Sequence, residues 1–312
     1  MSAGLLCRSA WLRRVVLPVL TGSLLAGCGT AAQDDHAQSS LPGLSGLAWV
    51  DTDRFLAVHD AKDEGDGAGG NRVSLLRLPR SKSGGLARTP LVVRFPGGVA
   101  RDLETASPIP GGGLLFAESG QKGGSPRLFV ARLADGALVI DRVLPWPVPV
   151  DNVEAIEVGR VGGRLVLLFA ERGRGRGQDR TALRWAEFSL EPPAFGAFRT
   201  VDWPAVDPVG PRARPVSALT LDRAGRIYVA SSHDPDESGP FRSVVWRIGV
   251  LAADRDGAPQ VRLVESVRVA TLDGCKVESL AMRPTPEGNE QLFVGTDDER
   301  YGGILRPLPA AD

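Results

Sequence analysis

The chain has 312 residues, and its 37 Lys and Arg balance 37 Asp and Glu, which excludes a broadly basic nucleic-acid-binding surface. With 43% hydrophobic and 24% charged residues it has the makings of a packed core and is not a disordered chain. The 38 Gly and 24 Pro predict many turns and exclude long helices.

The N-terminal stretch reads as an address. Arg8, Arg13 and Arg14 precede an apolar run, Val15 to Leu25, that is broken by Pro18 and Gly22 and too short for a permanent span. Leu25-Ala26-Gly27-Cys28 follows. This resembles the lipobox of bacterial lipoproteins, which implies loss of residues 1–27 and acylation of Cys28, hence a lipid anchor in place of a spanning helix. Gly29 stands where an Asp retains such proteins at the inner membrane, so the resemblance implies the cell envelope, on the periplasmic side of the outer membrane. A plain secretory signal with a chance Cys is the alternative. Residues 28–43, rich in Ala, Gln, Asp and Ser, are expected to form a flexible tether. With Cys7 removed and Cys28 acylated, Cys275 is expected to stand alone, without an intramolecular disulfide, as a small buried apolar residue.

From residue 44 to 308 short Val/Leu/Ile/Phe runs recur between Gly, Pro, Asp and Asn, and no helical period is sustained. Each repeat opens on an apolar residue, then Ser or Glu, then a small residue. The copies are Leu44-Ser45-Gly46-Leu47, Leu103-Glu104-Thr105-Ala106, Val153-Glu154-Ala155-Ile156, Val216-Ser217-Ala218-Leu219 and Val277-Glu278-Ser279-Leu280. Their second positions are spaced by 59, 50, 63 and 61 residues. Second strands are predicted at 55–59, 114–117, 165–170, 227–230 and 292–295, and third strands at 73–78, 128–133, 183–190, 244–250 and 304–308. Fourth strands are predicted at 91–95, 138–144, 198–203 and 261–270, so the last copy lacks one or borrows it from the N-terminal segment. The expected fold is all-β, a β-propeller of five blades with three to four antiparallel strands each, because radial packing buries both faces of every sheet. A sixth blade fits in the two long repeats as an alternative, and a β-sandwich is the rival fold. The recurrence of Phe116-Ala117-Glu118 and Phe169-Ala170-Glu171 favours the propeller.

Innermost strands of a propeller surround its axis, so Glu104, Glu154 and Glu278 should converge there, with Ser45 and Ser217 completing the ring. Antiparallel order returns the end of each second strand to the same mouth, bringing Asp60, Glu118 and Glu171 to it. Asp234 and Asp297 fall just past the matching point. So many carboxylates need compensation. A divalent cation held by Glu104, Glu154 and Glu278, with Ca²⁺ suited to oxygen ligands, is one answer. Ion pairs with Arg101, Arg214 and Lys276, two or three residues before ring positions, are a second, and solvation at the rim a third. His59 and His233 end second strands beside Asp60 and Asp234 and are candidates for taking a proton. The acidic loop from Asp60 to Asn71 lacks the spacing of an EF-hand, and the basic loop from Arg172 to Arg180 could gather an anion. Neither a Gly-x-Ser-x-Gly elbow nor a P-loop is present.

The copies Leu44-Ser45-Gly46-Leu47-Ala48, Phe55 to Asp60, Asp102-Leu103-Glu104, Asn152-Val153-Glu154-Ala155-Ile156 and Val277-Glu278-Ser279-Leu280 resemble exported phytase-like propellers described as having esterase-like activity of phytase. The acidic Asp-Asp-Pro-Ala-Ile-Trp type motif of true propeller phytases is not in the sequence. Gluconolactonase-type propellers are similar in kind, and that likeness makes Glu104, Glu154 and Glu278 the metal-side residues. The resemblance implies a metal-assisted phosphoester or ester hydrolase, with His59, Asp60 and His233 as proton-transfer candidates and Arg101, Arg214 and Lys276 holding an anionic group of a small-molecule ligand. The alternatives are a non-catalytic ligand- or protein-binding propeller of the envelope, with a protein partner, and a lactonase-like hydrolase. No nucleic-acid partner is expected, and the only membrane association expected is through Cys28.

Overall fold

A computed structural model describes residues 41–59, 72–79, 85–121, 124–172, 180–204 and 206–309. The signal with Cys28, most of the tether, Asp60 with the acidic loop, and residues 173–179 of the basic loop lie outside the described residues.

The described residues form five antiparallel sheets. The first blade is β1 (Gly46–Asp51), β2 (Arg54–Val58), β3 (Val73–Arg77) and β4 (Ala87–Pro90). The second is β5 (Leu103–Pro108), β6 (Leu114–Glu118), β7 (Arg127–Ala134) and β8 (Ala137–Pro145). The third is β9 (Val153–Val161), β10 (Arg164–Glu171) and β11 (Arg180–Leu190), with an outer position split between β12 (Pro193–Phe195) and β13 (Arg199–Pro204), both paired to β11. The fourth is β14 (Ala213–Leu221), β15 (Arg226–His233), β16 (Arg242–Ala253) and β17 (Pro259–Asp273). The fifth is β18 (Val277–Pro284), β19 (Glu290–Thr296) and β20 (Leu305–Pro307). The helical content among the described residues is one 3-10 turn, Glu299–Tyr301.

Each innermost strand lies beside the innermost strand of the next blade, and β18 returns to β1, so the sheets close into a five-bladed propeller. The reason lies in the apolar runs of the second strands. Alternate side chains of a strand point to opposite faces. In β2, Phe55 and Ala57 enter the cluster shared with the fifth blade, while Leu56 and Val58 enter the cluster shared with the second. In β10, Leu167 and Phe169 pack toward the second blade, and Val166, Leu168 and Ala170 toward the fourth. Five apolar clusters therefore fill five inter-blade interfaces, and a strand buried on both faces reads as a continuous apolar run.

No sixth blade forms among the described residues. The extra length of the third repeat makes the split outer strand, and that of the fourth makes two long strands of 12 and 15 residues. The fourth strand of the first blade is Ala87–Pro90, not 91–95. Leu91 and Val93 are buried and Val92 is exposed; Leu91 N–H still donates to Val73 O at 2.9 Å, so the segment continues the alternation just past the last ladder pair. The fifth blade has no outer strand among the described residues; the chain start braces it without becoming a strand. Leu44 N–H donates to Thr296 O at 2.9 Å, Gly303 N–H donates to Leu41 O at 2.7 Å, and the Ser279 hydroxyl donates to Leu44 O at 2.9 Å. Cys275 is buried as expected, but it is disulfide-bonded, not a lone thiol. Cys7 and Cys28, the two other cysteines of the chain, lie outside the described residues.

Candidate functional site at the channel axis

The ring acids are aimed by a repeated irregularity. In the second blade Leu103 pairs with Glu118 and Thr105 with Ala117, leaving Glu104 as an unmatched extra residue. Glu154 is skipped in the same way between Val153 and Ala155, and Glu278 between Val277 and Ser279. Each acid thus occupies a β-bulge, which bends the strand and re-aims one side chain. Two residues earlier Asp102 and Asn152 adopt φ of 52° and 58°, a left-handed conformation that Asp and Asn tolerate. In the fourth blade the register jumps from Arg214–Ser232 to Ala218–Ala230, so Pro215 to Ser217 bulge together. Close approach at the hub is visible at Gly46, where a Cβ would lie 2.8 Å from Thr105 Cα.

The bulges deliver a charge cluster centred on Arg214, whose side chain is only 17% exposed. Its guanidinium binds Glu278 and Asp234. Burial opposes its charge, but Glu278, Glu154, Asp234 and Glu104 together outweigh burial and raise its pKa. All three ring acids therefore fall within the field of one cation. Glu154 accepts from Arg172 Nη2 at 2.6 Å. Lys276, buried at 1% exposure, lies 3.2 Å from Glu278 and 3.7 Å from Asp297, and also binds Glu299.

The acids of this cluster are held differently. Burial raises the carboxyl of Glu154, with Arg172 and Arg214 opposing and Glu278 adding to the rise. Burial also penalises Glu278, but Lys276, Arg214 and Arg172 overcome it and bring its pKa down to about 2. Asp298 is pushed up to about 6 by burial, against the Lys276 N–H and the Thr296 hydroxyl that its carboxylate accepts at 2.6 and 2.7 Å. Among the described residues no three side chains of His, Cys, Asp and Glu are close enough to share a metal ion.

The structure therefore gathers Glu104, Glu154, Glu278, Arg214 and Lys276, and leaves other expected residues outside the cluster. Arg101 is exposed, and its backbone N–H donates to Glu118 Oε1 at 2.7 Å. His59 is buried; its Nδ1 meets Gly43 O at 2.8 Å, so this nitrogen carries the proton and Nε2 accepts from Ser74. Burial brings its pKa down to about 4, so it is neutral at pH 7. His233 is half-buried at the end of β15, one residue before Asp234.

His59 shares its place at the end of the second strand with Glu118, Glu171, Ser231 and Thr296. Three of these side chains staple the segment that leads into their own innermost strand, and Ser231 staples the bulge within its own. His59 holds Gly43 O, Glu118 the Arg101 N–H, Glu171 the Asp151 N–H at 2.8 Å, and Ser231 donates to Pro215 O at 2.6 Å. Glu118 also takes Arg127 Nη2 at 2.6 Å, and Glu171 takes Arg184 at 3.4 Å. These arginines cover Phe129 and Phe169, at 4.9 and 5.3 Å from the ring centres. The Phe-Ala-Glu repeat is thus an architectural element. Sequence reasoning missed Asp298 and Glu157, and it read Arg172 only as part of an anion-gathering loop.

No protein-family model matches the chain, and no curated protein matches it. Solved structures do. The endo-arabinase of Bacteroides thetaiotaomicron VPI-5482 superposes with a TM-score of 0.52 at 10% identity, over 88% of this chain and 97% of that one. An exo-1,5-alpha-L-arabinanase from a bovine ruminal metagenomic library (TM-score 0.49, 10% identity, 86% and 93% covered) and the GH43 endo-arabinanase of Bacillus licheniformis (0.46, 12%, 87% and 95%) also match. At these identities the likeness is one of fold.

Proposed function

We propose that the chain is a hydrolase of ester or glycosidic C–O bonds, working at the axial cluster. One observation carries this reading: equivalent bulges present two acids whose surroundings push their pKa values apart, Glu154 upward and Glu278 down to about 2. Glu154, whose carboxyl pKa is held above its ordinary value by burial, gives a proton to the leaving oxygen as its bond breaks. Glu104 is the least buried of the three acids and accepts the proton of the attacking water, whose oxygen forms the new bond. Glu278 stays charged and fixes Arg214 and Lys276. Proton return between Glu104 and Glu154 through solvent resets the site. The donor set suits internal ion pairs better than a divalent cation, because Ca²⁺ would have to displace Arg172 from Glu154, and Arg214 and Lys276 from Glu278. No step is therefore routed through a metal.

The test is a panel of p-nitrophenyl acetate, phosphate and α-L-arabinofuranoside, with and without chelator. Turnover that survives chelator and falls about 100-fold or more in Glu154→Gln and Glu104→Gln supports the proposal. Chelator-sensitive turnover of the phosphate would favour the metal-assisted phosphoester alternative, and silence across the panel would overturn the enzyme reading. A second reading rests on the ion pairs themselves. Glu154 and Glu278 already have internal cationic partners, as a hub in a non-catalytic binding propeller would. Envelope anchoring through Cys28 is a separate proposal that requires a Cys28 thiol not joined to Cys275, and it is tested by metabolic labelling with a clickable fatty acid in the wild type and Cys28→Ser.

A further inference from the structure

The innermost strands run from the charged ring to the opposite end of the channel, and a second cavity of about 660 Å³ lies there. Its walls are the far ends of β1, β5, β9, β14 and β18, so every blade contributes. Leu47, Trp49, Ile109, Leu221, Leu251 and Met282 give it an apolar lining. The volume falls in the range of roughly 300–1,000 Å³ typical of pockets that enclose a small molecule.

Every charged side chain of this wall but one is either paired with an opposite charge or, for Arg160, exposed and capped by carbonyl oxygens. Arg160 donates to Pro110 O and Gly163 O, and Arg132 to Asp141. Asp222 binds Arg226, and Glu290 takes the backbone N–H of Arg223 at 2.8 Å with its guanidinium nearby. The exception is Glu157, a buried carboxyl on β9 that the axial cluster does not use. It meets only neutral partners, the Ser107 hydroxyl at 3.1 Å and Thr220. Trp49, in the same wall, has a buried indole N–H with no hydrogen-bond partner among the described residues. The apolar lining and the buried Glu157 give a charged group lying against them nothing that repays its desolvation.

We propose that this cavity is a second binding site, separate from the axial cluster, for an uncharged and mainly apolar small molecule that carries one hydrogen-bonding group. Its apolar body lies against Leu47, Leu221 and Met282, and its polar group meets Glu157. The site does not depend on hydrolysis at the other mouth.

Titration of the full chain with N-phenyl-1-naphthylamine, a neutral aromatic amine that fluoresces in apolar surroundings, tests this. Saturable binding is expected, weakened about tenfold or more by Met282→Trp, which fills the half-buried wall. Leu221→Trp serves the same purpose if the first variant does not fold. A second readout is pH. Burial, resisted by Ser107 and Thr220, holds Glu157 at a pKa of about 8, so its neutral form prevails at pH 7. Ionisation would place an uncompensated charge in the wall, so binding should weaken about tenfold between pH 7 and 9 in the wild type and stay constant in Glu157→Gln. Binding that does not saturate, or that is equal in the wild type and in a folded wall-filling variant, overturns the proposal. Wild type and Glu157→Gln with identical pH profiles would overturn the part assigned to Glu157.

Discussion

Arg214→Met removes the one cation that all three ring acids share. The substitution keeps much of the side-chain volume and leaves Glu278 with Lys276 and the field of Arg172, and Asp234 without its bound guanidinium. Glu278 titrates at about 2 in the fold against an ordinary value of 4.5. At about 1.4 kcal/mol per pK unit, that depression is worth about 3 kcal/mol at neutral pH. Arg214 supplies only part of it, but breaking a buried pair also strands charge, and such losses run about 3–5 kcal/mol. Denaturant unfolding at pH 7 should show a loss in that range, and thermal unfolding a drop of about 10 °C. The sign with pH is fixed: a depressed carboxyl stabilises above its unfolded value and loses that contribution as pH falls through its folded value. The deficit of the variant should therefore shrink between pH 4.5 and 2, where wild-type Glu278 is itself being protonated. Adding Glu278→Gln should recover stability beyond additivity, since the stranded charge is then gone. A deficit below about 1 kcal/mol, or one that is the same at pH 7 and pH 3, would refute a hub built on Arg214.

The blade staples give further outcomes. His59 has a folded pKa of about 4, below its ordinary 6.5, so the unfolded chain takes up a proton that the fold refuses. Its contribution is whole above pH 6.5 and is lost toward pH 4; unfolding curves should show the wild type losing about 2 kcal/mol more than His59→Gln between pH 7 and 4.5. Glu118→Gln should destabilise more than Glu171→Gln, by about 1–2 kcal/mol in chemical denaturation. The Glu118 side chain is 3% exposed with Arg127 at 2.6 Å, against 15% and 3.4 Å for Glu171 and Arg184.

The order of strands and the convergence of Glu104, Glu154 and Glu278 were legible because both follow from a period: apolar runs repeated, and one polar residue repeated at a fixed place within them. The bulges that aim those acids were not legible, since skipping one residue leaves the run of residue types unchanged. Lys276 and Arg214 could be placed near the ring by counting back from it, but the same count placed Arg101 there. Only the left-handed turn at Asp102 shows that Arg101 meets Glu118 through its backbone. His59 looked like a proton acceptor because it adjoins Asp60. Its equivalence to Glu118 and Glu171 emerges only from the pairing register, and with it the stapling role. Glu157 gave no signal, because a carboxyl three residues after Glu154 in a strand reads as solvent-facing until two neighbouring blades cover it.

The seam between the first and last blades is held without a shared strand. The Ser279 hydroxyl reaches Leu44 across 235 positions of sequence. Closing so long a loop is entropically the costliest step in assembling the wheel, although that cost grows only slowly with length. The joint at Leu41 to Ser45 is then the natural last latch in folding and the first to release under strain. Linking the start of the body covalently to its end, and reopening the chain at the tight turn between β7 and β8, should keep the wheel intact while moving the weak point elsewhere.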